Sequence, residues 1–172
     1  IAPSNAGGEY TGKGGYRGGN GLIGSVSGLS VTTNSTTSRS NSQAGSITLT
    51  YQGSSGDITF SSTVNGAQSL TVNAEGDTTF SGAVGNTIAL TGLTTNSADV
   101  TSSTIALASS SALSVTNTGS SSSLGLISGT SVTLDKLGAG TLSLVADNTY
   151  TGLTTVTAGT LTLDKAGTTG AA

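Results

Sequence analysis

The stretch Gly-Asp-Ile-Thr-Phe at residues 56–60 returns, with one change, as Gly-Asp-Thr-Thr-Phe at residues 76–80. A repeat of about twenty residues is typical of a solenoid, in which each repeat forms one coil. A single coil cannot bury its apolar face alone, so neighbouring coils must stack to make a core. We therefore expect residues twenty apart to lie over one another, with Phe60 stacked directly on Phe80.

The echo continues in phase beyond these two segments. The further matches, all twenty residues apart, are Ser61 with Ser81, Val64 with Val84, and Leu70 with Leu90. From Leu22 onward, short segments alternate apolar residues with Ser or Thr and are interrupted by Gly, Asn, Asp and Ser. This period of two predicts half-buried strands. No segment keeps a period of 3.6, so we expect almost no helix.

A sandwich of two antiparallel sheets would also contain many short strands. The solenoid is favoured by the twenty-residue echo, by the scarcity of aromatic residues, and by Asn and Gly at the expected corners, where stacked amides and positive backbone angles allow sharp bends. We predict an all-β parallel β-helix over residues 22–172, with residues 1–21 as a glycine-rich flexible leader or cap. At ~4.8 Å per strand, roughly seven or eight coils of about 20 residues would be about 35 Å long. The Ser-rich segment 102–129 has no clear phase.

Composition narrows the function. Ser, Thr and Gly make up about half of the chain, charged residues are 8%, aromatic residues are 3%, and the net charge is −3. A chain without a basic patch is not expected to bind nucleic acid or an anionic membrane surface, and it contains no apolar run long enough to cross a bilayer. Without cysteine or histidine, it has neither thiolate metal ligands nor the base of a hydrolase triad. We expect no cofactor, no membrane insertion and no enzymatic activity.

Asp57 and Asp77 fall at matching positions of the echo. Stacked carboxylates invite a calcium site or the paired acids of a glycosidase. Calcium needs more oxygen ligands than this pair supplies, and aromatic residues that would grip a sugar are lacking. The favoured interpretation is therefore that each Asp forms a local Asx turn before its strand, with calcium as the weaker alternative.

Near the C-terminal end the residues become specific. Residues 134–144 read Leu-Asp-Lys-Leu-Gly-Ala-Gly-Thr-Leu-Ser-Leu, residues 148–152 read Asn-Thr-Tyr-Thr-Gly, and residues 158–163 read Ala-Gly-Thr-Leu-Thr-Leu. This run resembles the passenger-associated transport repeat of autotransporters, with Leu153 in place of a usual Gly. We place this repeat-type unit at 134–163. Within it, Asn148 is expected to bond the backbone at a corner that includes Gly152, and Tyr150 to cover the core, all in structural roles.

Residues 70–77 and their neighbours resemble, more loosely, the repeats of filamentous-haemagglutinin-like surface proteins. The two resemblances imply a right-handed β-helix from a larger parent, exported by a Gram-negative bacterium and displayed outside the cell. A further echo links 132–136 with 161–165. Its adjacent Asp and Lys residues are expected to point to opposite faces of a strand and to be solvated.

We expect a non-enzymatic structural segment of a secreted or surface-displayed bacterial adhesin or fibre, acting as a stiff hydrated stalk. One alternative is an extracellular filament or biofilm-matrix subunit joined end to end through exposed strand edges. Another is a carbohydrate- or ice-binding module, although Thr-x-Thr pairs such as Thr48/Thr50 do not recur in every coil. The expected partners are accordingly a second copy, a host or neighbouring cell surface, or a glycan.

Overall fold

The computed structural model describes residues 30–32, 46–51 and 56–164, which form strands and turns. This part of the chain contains no helix, and hence none that could span a membrane. The predicted leader at 1–21 lies outside the described residues. The strands are β1 (Ser30–Thr32), β2 (Ser46–Thr50), β3 (Ile58–Phe60), β4 (Ser69–Asn73), β5 (Thr78–Phe80), β6 (Gly92–Ser97), β7 (Val100–Ala106), β8 (Ala112–Asn117), β9 (Ser122–Ser128), β10 (Thr133–Leu137), β11 (Thr141–Leu144), β12 (Thr154–Val156) and β13 (Thr160–Leu163).

From β2 onward the strands alternate between two sheets. Sheet A has the order β1-β2-β4-β6-β8-β10-β12, and sheet B has the order β3-β5-β7-β9-β11-β13. Each turn thus contributes one strand to each sheet. All the paired strands from β2 to β13 run parallel. The arrangement is the predicted all-β solenoid, with parallel strands stacked turn on turn.

Within the described residues, the number of turns is smaller than the number of coils predicted for 22–172. The described residues form about 5 turns of about 21 residues, in place of seven or eight. Residues 30–32 do not add a coil to the parallel stack, because β1 pairs antiparallel with β2, with Ser30 opposite Thr50. This strand lies along the edge of sheet A and is not a further coil.

The twenty-residue echo correctly places the two phenylalanines. Phe60 pairs with Phe80 in register, and their rings stack with centroids 4.7 Å apart and planes inclined by 7°. Val64 and Val84 also pair in parallel. The pair of stacked aromatic rings is therefore followed, four residues along the chain, by a pair of stacked aliphatic side chains.

The expected pairing of Leu70 with Leu90 is wrong. Leu70 pairs with Leu93 in sheet A, while Leu90 bridges to Leu107. The turn length is not constant: sheet A advances by 23 residues from Leu70 to Leu93, whereas sheet B advances by 20 from Phe60 to Phe80. Both leucines are nevertheless buried, because the strand period of two sets the inward face whatever the exact turn length.

The core consists of the inward side chains of both sheets. It is largely aliphatic, with the two phenylalanines near the beginning of the stack, and each buried Leu, Ile or Val contributes about 1.5–3 kcal/mol of transfer free energy. Its members are Leu49, Ile58, Phe60, Val64, Leu70, Val72, Phe80, Val84, Leu90, Leu93, Val100, Ile105, Leu107, Leu113, Val115, Leu124, Ile127, Val132, Leu134, Leu142 and Leu144. The segment 102–129, which has no readable phase in the sequence, supplies β8, β9 and most of β7 to the same stack.

Candidate functional site

Three aspartates form a file along the corner that precedes the sheet B strands. Asp57, Asp77 and Asp99 each stand immediately before a strand of that sheet. The Oδ1 atom of Asp57 accepts the N–H of Asp77 at 2.8 Å, and Oδ1 of Asp77 accepts the N–H of Asp99 at 3.1 Å. Oδ1 of Asp99 in turn accepts the N–H of Ser121 at 3.0 Å. Each carboxylate therefore joins its own turn to the next one.

This geometry corrects the interpretation of Asp57 and Asp77 as local Asx turns, because the bonded amide lies about one turn away in sequence. The third member, Asp99, was missed. It follows Ala98 where the other two follow Gly, and it lies 22 residues after Asp77. The sequence feature that could have identified Asp99 is its position directly before a predicted strand.

The same contacts bear on the calcium alternative at Asp57 and Asp77. One oxygen of each carboxylate is engaged by a backbone amide. Calcium takes six to eight oxygen ligands, and within the described ranges there is no group of three or more acidic, His or Cys side chains arranged to hold a metal ion. The backbone hydrogen bonds account for the placement of both carboxylates, and calcium binding by Asp57 and Asp77 stays a prediction.

The space for the Asp57 carboxylate comes from Gly76. A Cβ atom placed on Gly76 would lie 2.1 Å from Oδ1 of Asp57. Gly76 thus makes room for the carboxylate of the turn before it, whereas Gly56 lies against the ring of Tyr51 and Ala98 stands at the corresponding place one turn after Gly76.

Behind the aspartate file, a few buried side chains are polar. The Ser122 hydroxyl donates to Oδ1 of Asp99 at 2.9 Å and accepts from Nδ2 of Asn117 at 3.0 Å. Asn117, which is fully buried, also donates to the carbonyl of Thr141 at 2.9 Å. Earlier in the stack, the hydroxyls of Thr78 and Ser97 share a hydrogen bond of 2.6 Å. These side chains tie successive turns together from inside.

At the far end of the sheet A strands, amide side chains form a second ladder. Nδ2 of Asn73 donates to Oγ1 of Thr50 at 3.2 Å, and Nδ2 of Asn96 donates to Oδ1 of Asn73 at 2.6 Å. The sequence predicts stacked amides at the corners, and this file has that arrangement. Chained amide hydrogen bonds resist the shear of one turn over the next.

The corner at 148–152 has the contacts that the sequence predicts for it. Oδ1 of Asn148 accepts the N–H of Ile127 at 2.7 Å, and its Nδ2 donates to the carbonyl of Ala146 at 3.1 Å. Tyr150 packs against the core, and its hydroxyl shares a hydrogen bond of 2.6 Å with Thr154. The N–H of Gly152 donates to the carbonyl of Val132 at 3.0 Å, and a Cβ there would lie 2.2 Å from that carbonyl oxygen.

Lys136 contradicts the expectation of a solvated Asp-Lys pair. It is fully buried, in the inward column between Val115 and Val156. Its Nζ donates to the carbonyls of Leu137 at 2.6 Å, Gly138 at 2.9 Å and Ala158 at 3.3 Å. None of these acceptors is a carboxylate, and burial lowers the pKa of the ammonium from its ordinary value of 10.5.

The ammonium thus closes the end of β10 and reaches into the next turn. Gly138, at the bend itself, has a φ of +75° and accepts one of the three bonds, a backbone conformation that glycine adopts without strain. The Lys-x-Gly spacing therefore has a physical basis. The buried ammonium donates hydrogen bonds to carbonyls at a bend whose backbone conformation favours glycine.

The outer faces of both sheets present files of mainly hydroxyl side chains. The central outward file of sheet B is uncharged along its whole described length, whereas that of sheet A begins with hydroxyl residues and then includes one aspartate. The sheet B file is Thr59, Thr79, Thr101, Ser123, Ser143 and Thr162. The sheet A file is Thr48, Thr71, Thr94, Ser114, Asp135 and Thr155.

Taken together, the parallel stack, the corner ladders and the hydroxyl files define a β-solenoid repeat protein whose polar side chains mainly join turns. Residues 134–163 match the family model of the passenger-associated transport repeat. The matched segment begins within β10 and ends with β13, so it contains Lys136 and the corner at 148–152. Neither the curated proteins nor the solved structures yield a match to the chain.

The repeat match and the solenoid fit an autotransporter passenger-like repeat protein. The repeat family is typically found in structural passenger regions and implies a secreted or surface-exposed protein.

Proposed function

We propose that this chain is a non-enzymatic structural segment of a bacterial surface adhesin or fibre, where it acts as a stiff and hydrated stalk. The observation that carries the proposal is that each described turn is bonded to the next in both sheets and through side-chain ladders at the corners. A force or protease acting on one turn therefore meets several sets of inter-turn hydrogen bonds together with the core.

The surface supports the same role. The outward files carry hydroxyl and amide groups with little charge, so they hold water without attracting ions or nucleic acid strongly. The stalk would present a binding region of the parent protein to a host or neighbouring cell, and its own chemistry would be that of a spacer.

Limited digestion with trypsin tests the stalk on the intact chain. Trypsin cuts after Lys or Arg, and Lys136 is the only such residue between 40 and 164. Because its ammonium is buried against three carbonyls, we expect no cleavage after Lys136 under native conditions and rapid cleavage in denaturant. Rapid cleavage at this bond in the native chain would contradict the proposal.

A pair of variants sharpens the digestion. Leu70→Asp buries an unpaired charge in the stack and should make Lys136 accessible. Thr71→Asp, on the outward face of the same strand, should leave it protected. Staining of intact and lysed cells of the source bacterium with an antibody against the chain would then test display: equal staining supports it, and staining only after lysis contradicts it.

A second candidate function is binding to a periodic surface such as ice or a glycan. The Thr-x-Thr pair of Thr48 and Thr50 is not repeated in the next two turns, because Asn73 and then Asn96 stand at the position of Thr50. The central file does continue as Thr48, Thr71 and Thr94, with strands ~4.8 Å apart. Thermal hysteresis or a hit on a glycan array would support this candidate, and a negative result in both assays would remove it.

A further inference from the structure

Asn65 and Gly66 form the only Asn-Gly pair among the residues that the structure describes; the other pair of the sequence, at 20–21, lies outside them. An Asn before Gly is chemically vulnerable, because the main-chain nitrogen of the glycine can attack the side-chain amide and no Cβ hinders its approach. The pair follows directly on the bridge between Val64 and Val84. Asn65 is half-buried, and Gly66 is buried with a φ of +150°.

The next turn of the stack holds both reacting groups. Oδ1 of Asn65 accepts the N–H of Thr87 at 2.9 Å and the N–H of Ile88 at 3.4 Å. The N–H of Gly66 donates to the carbonyl of Ile88 at 3.1 Å. The attacking nitrogen and the amide that it would attack are therefore each bonded to residues 87–88. Cyclisation requires that these bonds break first.

We propose that Asn65 is a deamidation site that is protected while residues 65–66 are bonded to residues 87–88 and reacts when the two turns separate. In the open state, hydroxide takes the proton of the Gly66 N–H, and the nitrogen forms a bond to Cγ of Asn65. The Cγ–Nδ2 bond breaks, and the leaving nitrogen takes a proton from water and departs as ammonia. The succinimide ring that remains is opened by water at one of its two carbonyls.

The two ring openings have opposite consequences for the stack. One gives an ordinary aspartate at position 65, whose carboxylate accepts the N–H groups of Thr87 and Ile88 as Asp57 accepts the amide of its next turn. The other gives isoaspartate, which adds one carbon to the main chain before Gly66. The N–H of Gly66 then no longer lies opposite the carbonyl of Ile88. A transient separation of the two turns is thereby made permanent.

Timed incubation of the full chain at neutral pH, with and without urea, tests the protection. Chymotrypsin cuts the unfolded chain after Phe60 and Leu70, so residue 65 is read from the peptide 61–70 by mass spectrometry and reversed-phase chromatography. We expect deamidation in urea and a rate lower by on the order of tenfold or more in the native chain, which reacts only through its small open population. Equal rates, or an unreactive residue 65 in urea, would overturn the proposal.

Matched core variants distinguish separation of these two turns from unfolding of the whole stack. Val84, which bridges to Val64, and Val132, in a later turn, are both fully buried. Val84→Ala leaves a cavity beside the turns that hold residue 65. We therefore expect deamidation to be several-fold faster in Val84→Ala than in Val132→Ala. Acceleration of the same size in both variants, or in neither, would show that these two turns do not control the reaction.

Two substitutions at residue 65 test the protecting bonds directly. Asn65→Asp keeps an oxygen for the N–H groups of Thr87 and Ile88, whereas Asn65→Ala removes it. We expect the urea midpoint of Asn65→Asp to stay close to that of the unaltered chain and that of Asn65→Ala to fall. Equal losses would contradict the assigned contacts. This inference does not rest on the stalk function, and protection of Lys136 from trypsin does not involve residue 65, so the two proposals fail separately.

Discussion

At the scale of single residues, the interior contains polar atoms that the stack does not fully satisfy. Thr95 stands in the inward column between Val72 and Val115, and its Oγ1 is buried without a hydrogen-bond partner. A buried hydroxyl that lacks a partner costs desolvation energy. Val has nearly the same shape and is already the residue on both sides.

We therefore expect Thr95→Val to raise the free energy of unfolding by about 1 kcal/mol or more. Urea titration followed by circular dichroism would measure the change. Thr94→Val, on the outward face of the same strand, is the control and should change little. A loss of stability in Thr95→Val would mean that the hydroxyl has a partner and would contradict this description of the column.

Lys136 predicts a pH dependence with a definite sign. Its pKa in the folded chain is below the ordinary value of 10.5, because burial disfavours the charged form. Between the folded pKa and 10.5 the unfolded chain holds more protons than the folded chain, so stability rises with pH across that window. Below the window, the cost of burying the charge is present in full.

The test compares the unaltered chain with Lys136→Met in urea titrations from neutral pH to pH 10.5. Subtracting the two curves removes the contributions that all other groups make equally in both chains. As the pH rises from the folded pKa toward 10.5, we expect the free energy of unfolding of the unaltered chain to increase relative to that of Lys136→Met. Near neutral pH, Lys136→Met should lose about 1–3 kcal/mol, because three carbonyls lose their donor. If the free energies of unfolding of the two chains changed with pH by the same amount, the ammonium would not be buried.

At the scale of elements, the corner ladders define the spacing of the turns. The carboxylate of Asp77 accepts the N–H of Asp99, one turn later. Asp77→Ala should therefore cost about 1–2 kcal/mol and speed hydrogen exchange at the Asp99 amide. Asp77→Asn keeps a side-chain oxygen at the same place and should retain most of the protection. Unchanged exchange at Asp99 in Asp77→Ala would remove the ladder from the account.

These elements also show what a sequence can predict in this fold. The period of two identifies the strands, and the repeated Gly-Asp-x-Thr-Phe motif places Phe60 over Phe80, because the turn between these two residues has the same length as the echo. The pairing of Leu70 with Leu90 fails because the turn between β4 and β6 is longer than the echo, and the length of an outer loop does not affect the inward alternation.

The polar residues of the interior and the corners are harder to predict from the sequence. Asp99 and Asn117 carry no repeated neighbour, so their roles follow only from the register between turns. Lys136 was wrongly expected in solvent, because charge is normally an outward signal. Its burial depends on three carbonyls that come together only when β10 bends at Gly138 and the next turn closes over it.

At the scale of the whole molecule, the described residues form a short stack of about 5 turns. The ladders and the core run through the turns, while the outer faces remain hydroxylated and nearly uncharged. This combination fits a passenger-type structural region.

The central claim is that successive turns lie directly over one another. The chain has only two phenylalanines, so labelling the rings of Phe alone leaves two spin systems, which Phe80→Leu would assign. We predict a strong nuclear Overhauser effect between the rings of Phe60 and Phe80, whose centroids are 4.7 Å apart. A well-dispersed spectrum of the folded chain without that contact would contradict the stacking of turns.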